Sequence, residues 1–126
     1  MHIFYYSYRK YCNRKCALEG KYKENVRKWL EGEITSYHIG ESTRRFIKKY
    51  LIEKLGNKCQ KCGWSEINQT TGKVPIELEH IDGNWKNGNE DNFTLLCPNC
   101  HSLTATYKAL NKGNGRKRYT TYTSMP

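Results

Sequence analysis

Two Cys-x-x-Cys pairs, Cys59/Cys62 and Cys97/Cys100, frame the residues of this chain best suited to chemistry. Each such turn presents two sulfurs at one point, and zinc takes four tetrahedral thiolate or imidazole ligands. The two pairs therefore predict a single four-thiolate clamp. Inside it stand Glu79 and His80, adjacent in Leu78-Glu-His-Ile-Asp-Gly-Asn84, and His101 follows directly on Cys100. A hard carboxylate and two imidazoles suit a second centre of different character, one that holds a divalent cation and activates water. Metal-assisted cleavage of a phosphodiester needs that combination: a general base for the water, a cation for the leaving oxyanion, and alignment of both across phosphorus. Neighbours on a strand point to opposite sides, so Glu79 and His80 are expected to divide the work. One would hold the cation and the other face the attacking water. His101 would then close the metal site against Glu79.

The elements that must position these residues can be read from periodicity and turn chemistry. Residues 57–111 hold the frame: a polar turn around Asn68-Gln-Thr-Thr-Gly72, a strand from Val74 to Ile81, a turn-rich loop from Asp82 to Asp91, a second strand from Phe93 to Leu96, and a final helix over 98–110 with Pro98 in its first turn. Ahead of it, residues 19–31 suit a short helix with Tyr22, Val26, Trp29 and Leu30 on one side. A second helix is expected from a cap at Ser42 or Thr43 to about Leu55, stopped by Gly56-Asn57. That helix is two-faced, with Phe46, Ile47, Tyr50 and Leu51 opposite Arg44, Arg45, Lys48 and Lys49. Residues 1–18 read as a basic, aromatic arm and 112–126 as a basic, Gly-rich flexible tail. Cys12 and Cys16 fall in the arm, where they are expected as free thiols, since two thiolates make only half a zinc site.

Composition narrows the partners. The 126 residues carry 22 Lys+Arg against 12 Asp+Glu, a formal charge of +10, with ten tyrosines. Such a balance suits a polyanion, nucleic acid first among them. Only 37% of residues are hydrophobic, so the core is thin and needs a staple, which the clamp supplies. No apolar run is long enough to span a membrane, and the N-terminus lacks the order of a signal peptide. The expected compartment is the reducing cytosol, where paired Cys-x-x-Cys turns favour metal over disulfides. Cys97-Pro-Asn-Cys-His101 also fits the c-type haem pattern, but that reading requires export and leaves Cys59/Cys62 without a purpose. No haem is expected.

From about Cys59 to Tyr107 the chain resembles the HNH endonucleases, whose ββα-metal motif is two strands, a long loop and a helix. The resemblance rests on Leu78-Glu-His-Ile-Asp-Gly-Asn84, Glu90-Asp-Asn-Phe93 and Leu95-Leu-Cys-Pro-Asn-Cys-His-Ser-Leu-Thr104. It implies an α+β fold, a small phage-type enzyme with a basic helical N-terminal extension at 19–56, located in the cytoplasm of a bacterial host if phage-encoded. It implies that His80 is the general base, that Glu79 and His101 hold one catalytic Mg²⁺ or Mn²⁺, and that Asn92 ties the loop and orients His80. Structural zinc on Cys59, Cys62, Cys97 and Cys100 completes the cofactors. The family commonly has Asp or His at the position of Glu79, and Leu at that of Phe93. Double-stranded DNA is the implied partner, cut to 5′-phosphate and 3′-hydroxyl ends, with Arg44, Arg45, Lys48, Lys49, Arg116, Lys117 and Arg118 the candidates for backbone contact by a protein expected as a monomer. The alternative is a zinc-stabilised nucleic-acid-binding module without chemistry. It accounts for charge and cysteines but leaves the Glu79-His80, Asn92 and His101 set without a role.

Overall fold

A computed structural model describes residues 11–36 and 41–113 of the chain. Two helices, α1 (Arg14–Leu30) and α2 (Glu41–Leu55), precede an antiparallel hairpin of β1 (Glu77–His80) and β2 (Phe93–Leu96), followed by the short α3 (Pro98–Ser102). The register sets Glu77 against Leu96 and His80 against Phe93. With the four-cysteine cluster, this is the expected α+β unit of two strands and a helix held by a metal-binding frame.

The core lies between the two long helices and β2. Trp29 of α1, Phe46, Ile47 and Leu51 of α2, and Phe93, Leu95 and Leu96 of β2 are buried together with Ile76, Cys59, Cys97 and Cys100. Three of these eleven positions are cysteines, so the apolar interior is small and runs directly into the thiol cluster. Trp29 is its hub, meeting Phe46, Tyr50 and Phe93 edge-on with ring centroids 5.6–6.1 Å apart.

Four boundaries differ from the sequence expectation, one being that α2 already begins at Glu41, with Ser42 and Thr43 inside the helix rather than capping it. The first helix starts at Arg14 rather than Glu19, because Asn13 caps it by accepting the Cys16 amide at 2.9 Å. Gly20 sits mid-helix with the Tyr11 ring packed where a side chain would otherwise lie. Cys12 and Cys16 are not free thiols but a disulfide across that first turn. The first strand is Glu77–His80, shorter than Val74–Ile81. Pro75 has no amide to donate, and the Ile76 amide bonds back to Val74 instead of across a ladder. Finally, α3 ends at Ser102, not near Leu110. The Thr104 amide and hydroxyl both donate to the His101 carbonyl three residues back, closing a tight turn, and beyond it Thr106 donates to Glu79 and Asn111 to the Gly83 carbonyl. Tertiary bonds there replace helical ones, leaving only a 3₁₀ turn at Lys108–Leu110.

The second helix stops where expected: Gly56 takes φ +92° and its amide closes on Ile52 at 2.9 Å. No helix among the described residues is long and apolar enough to cross a membrane.

Candidate active site

The four cysteines of the two turns converge. The sulfurs of Cys59, Cys62, Cys97 and Cys100 all lie within 4.8 Å of one another, with Cys62 and Cys97 3.8 Å apart. Local bonds make each turn: the Cys59 amide donates to Trp64, Gly63 (φ +78°) donates back to Cys59, and the Cys97 sulfur accepts the Cys100 amide at the start of α3. The Gln60 amide donates to Leu95 at 2.8 Å, tying the first turn to β2. Burial pushes the Cys59 thiol up, but backbone amides of Cys97, Cys62 and Lys61 outweigh it and hold the thiol down at about 6. Burial, with the neighbouring sulfurs of Cys97, Cys62 and Cys59, pushes Cys100 up to about 12. One thiolate forms readily and its proximity discourages another, which a divalent cation at the centre reverses. The donor set suits zinc.

Next to this frame lies a second pair. Glu79, nine-tenths buried on β1, and His101, half-buried on α3, approach through Oε2 and Nδ1 at 2.5 Å. Nδ1 is wholly buried, yet that contact is not aligned as a hydrogen bond, and the nitrogen has no hydrogen-bonding partner among the described residues. The carboxylate oxygen and the imidazole nitrogen are in direct contact; their donor types suit a hard divalent cation, which would have to part them to enter. The other carboxylate oxygen, Oε1, accepts the Thr106 hydroxyl at 3.3 Å, and the Tyr107 ring stands edge-on to His101 at 5.2 Å.

His80 follows Glu79 on β1, so its side chain leaves the strand on the other side. Its ring rests on Phe93, the residue opposite in register, with centroids 4.7 Å apart. Beyond it the chain is fixed by Asn92, which is buried. The Asn92 amide nitrogen donates to Asp82 Oδ1 and to the Asn87 carbonyl, both at 2.9 Å, and its oxygen accepts the Asp82 amide at 3.0 Å. Its backbone carbonyl takes the Ile81 amide. One side chain thus pins both ends of the loop that leaves His80.

Sequence reasoning missed the partners of Asn92. Asp82 accepts from the Asn87 side chain at 2.7 Å, the Asn84 amide and Asn92, and these bonds hold its carboxyl below the usual carboxylate range, Asn87 contributing most. The signal was the run of Asp82, Asn84, Asn87 and Asn89, each suited to an Asx turn. Thr106 gave no signal at all.

The basic candidates divide. Arg44 and Arg45 are exposed on α2 and Lys48 is half-buried. Lys49 bonds Glu19 of α1 at 3.2 Å and lies 3.9 Å over the Tyr22 ring, and Arg44 and Arg45 also have interactions of their own, so a phosphate would compete with existing partners. Arg116, Lys117 and Arg118 lie outside the described residues.

The chain is 39% identical over 102 residues to a protein of Escherichia phage T5 named H-N-H endonuclease F-TflIV. The match takes in 79% of this chain and 41% of the relative, so the chain spans about two fifths of the protein it matches. No family model matches it. No solved structure matches it either.

Proposed function

Because the chain belongs to the HNH endonuclease family, we propose that it is a metal-dependent DNA endonuclease with Glu79, His80, Asn92 and His101 at its reaction centre. The observation that carries this reading is the meeting of the Glu79 carboxylate and the His101 imidazole, brought together from two elements fixed beside the cysteine frame. Glu79 and His101 would hold Mg²⁺ or Mn²⁺, and the four thiolates would hold zinc. When bound, the catalytic cation supplies Lewis-acid neutralisation of charge on the departing oxygen.

The chain's own residues do the rest. His80, on the side of β1 away from Glu79, takes a proton from water, and that water attacks the scissile phosphorus as the 3′ oxygen leaves. Phe93 supports the imidazole from beneath, and Asn92 keeps the following backbone in place so that its direction does not wander. Double-stranded DNA is drawn by the positive charge and contacted through its backbone by Arg44, Arg45, Lys48 and the tail residues Arg116, Lys117 and Arg118. Lys49 joins them on leaving Glu19. The setting is the cytoplasm of an infected bacterial host. A monomer with one such centre nicks, and a double-strand cut requires two copies or two visits.

His80→Ala should lose about 10²–10⁴-fold in cleavage of supercoiled plasmid with Mg²⁺ or Mn²⁺. Its melting temperature and DNA affinity should be unchanged. Full activity in that variant overturns the assignment, and a wild-type protein that binds plasmid without cutting it points instead to the module without chemistry.

A further inference from the structure

The Glu79 carboxylate uses its two oxygens differently. Oε2 faces His101 Nδ1, while Oε1 receives the Thr106 hydroxyl at 3.3 Å. Building on the proposed cation site, we infer that Thr106 is a positioning residue which restricts Glu79 to offering one oxygen, and so selects the cation.

Several features hold Thr106 there independently of Glu79. Gly83 has φ +72°, and a side-chain carbon at that position would lie 2.7 Å from Thr106 Cγ2 and 2.9 Å from its Cβ. The missing side chain is thus the space in which Thr106 sits. Asn111 closes the far end, donating to the Gly83 carbonyl at 2.8 Å. Between them Tyr107 packs its edge against His101, the other proposed ligand. The segment that abandons helix after Ser102 is therefore a strap, seated on the loop after β1 and touching both Glu79 and His101.

The need for such a strap follows from the residue at 79. Glutamate carries one more rotatable bond than aspartate, so its carboxylate can swing and can chelate through both oxygens. Magnesium and manganese favour near-octahedral sites with single oxygens from each carboxylate, whereas calcium accepts more ligands and both oxygens of one carboxylate. A hydroxyl bonded to Oε1 opposes the second arrangement. Partners that orient a metal ligand in this way are worth about 10–100-fold in metal affinity when removed.

The test is Thr106→Val in the zinc-loaded full chain. Valine keeps the methyl against Gly83 and deletes only the hydroxyl. Calorimetric titration with Mn²⁺ should show affinity lower by roughly 10-fold or more, with Ca²⁺ affinity much less affected. Thr106→Ser should restore the wild-type preference, and the melting temperature should be the same in all three. Unchanged Mn²⁺ affinity and an unchanged Mn²⁺-to-Ca²⁺ ratio in the valine variant overturn the inference. Glu79→Ala separates this from the underlying reading. If it abolishes Mn²⁺ binding while Thr106→Val does nothing, only the role of Thr106 fails. If Glu79→Ala binds Mn²⁺ like the wild type, the site itself fails and this inference with it.

Discussion

At its C-terminal end β2 runs into Cys97 and Cys100, whose sulfurs meet those of Cys59 and Cys62; at its N-terminal end it runs back into Asn92, one carboxamide with three hydrogen bonds. The same four-residue strand is anchored by a metal-binding cluster on one side and by an amide network on the other. The first kind of anchor is all or nothing, since thiols packed this closely need a cation to ionise together. The second is graded, because each bond contributes separately and neighbouring donors remain when one is lost. A thin core thus gets its stability at one end of β2 and the fine placement of the loop after His80 at the other.

The largest effect should come from the cysteine end. Cys97→Ser can still cap α3 but removes a ligand from a site that, in zinc-finger peptides, contributes on the order of 10 kcal/mol or more. Cooperative thermal unfolding should disappear, and chelation of zinc from the wild-type chain should reproduce the same loss in circular dichroism. A variant that melts at the wild-type temperature refutes the structural role.

Asn92→Ala should be clearly milder. Three hydrogen bonds at about 1 kcal/mol each, two of them to backbone groups of the loop, suggest a loss of about 2–4 kcal/mol. Zinc should remain bound while the amides of residues 82–91 exchange faster with solvent. Unfolding as complete as that of Cys97→Ser would erase the contrast between the two ends of β2.

What could be read in the sequence follows the same division. Ligand chemistry tolerates few alternatives, so spacing alone marks Cys59, Cys62, Cys97 and Cys100 as one cluster, while Glu79 and His101 are paired by the expected order of strand and helix. Period and turn residues placed α2 and its stop at Gly56, because local sterics decide both. Elements governed by distant contacts were less legible. Residues 1–18 show no clear periodicity, so the cap at Asn13 that starts α1 is not legible there. Nothing in Thr104-Ala-Thr-Tyr107 says that the Thr106 hydroxyl will reach Glu79 where a further turn of helix could have formed. The helical extension also reaches inward, its Trp29, Tyr50 and Lys54 all bonding the loop before Asn92, which nothing in its periodicity announces.

That reach gives the third prediction. The Trp29 indole donates to the Gly88 carbonyl at 2.7 Å, and Gly88 is pressed so closely on Ser36 that a side chain there would collide with it. Trp29→Phe keeps an aromatic ring among Phe46, Tyr50 and Phe93 but leaves the carbonyl unpaired, at about 1–3 kcal/mol. Exchange protection should fall at the Gly88 and Asn89 region while the cysteine cluster keeps its metal. Loss of zinc in this variant would mean that the two anchors of β2 are coupled.

The smallest effect belongs to the outermost tie. Lys54 and Tyr50 of α2 both bond the Glu90 carboxylate, the tyrosine at 2.8 Å, and they hold its proton affinity below that of an ordinary glutamate, Lys54 most of all. A depressed carboxyl stabilises the fold above its unfolded value and loses that contribution as pH falls through the lower folded one. The pair is half exposed, so the contribution is small and sensitive to salt. Acid also protonates the thiolates, so melting curves at low pH would report the wrong anchor. Titration of the Glu90 carboxyl by NMR avoids that confusion. In wild type it should fall below the usual glutamate range, and in Lys54→Met it should move upward without reaching it, because Tyr50 still donates. An unmoved titration would remove Lys54 from the set of residues by which the helices hold the loop, leaving Trp29 and Tyr50 to do so.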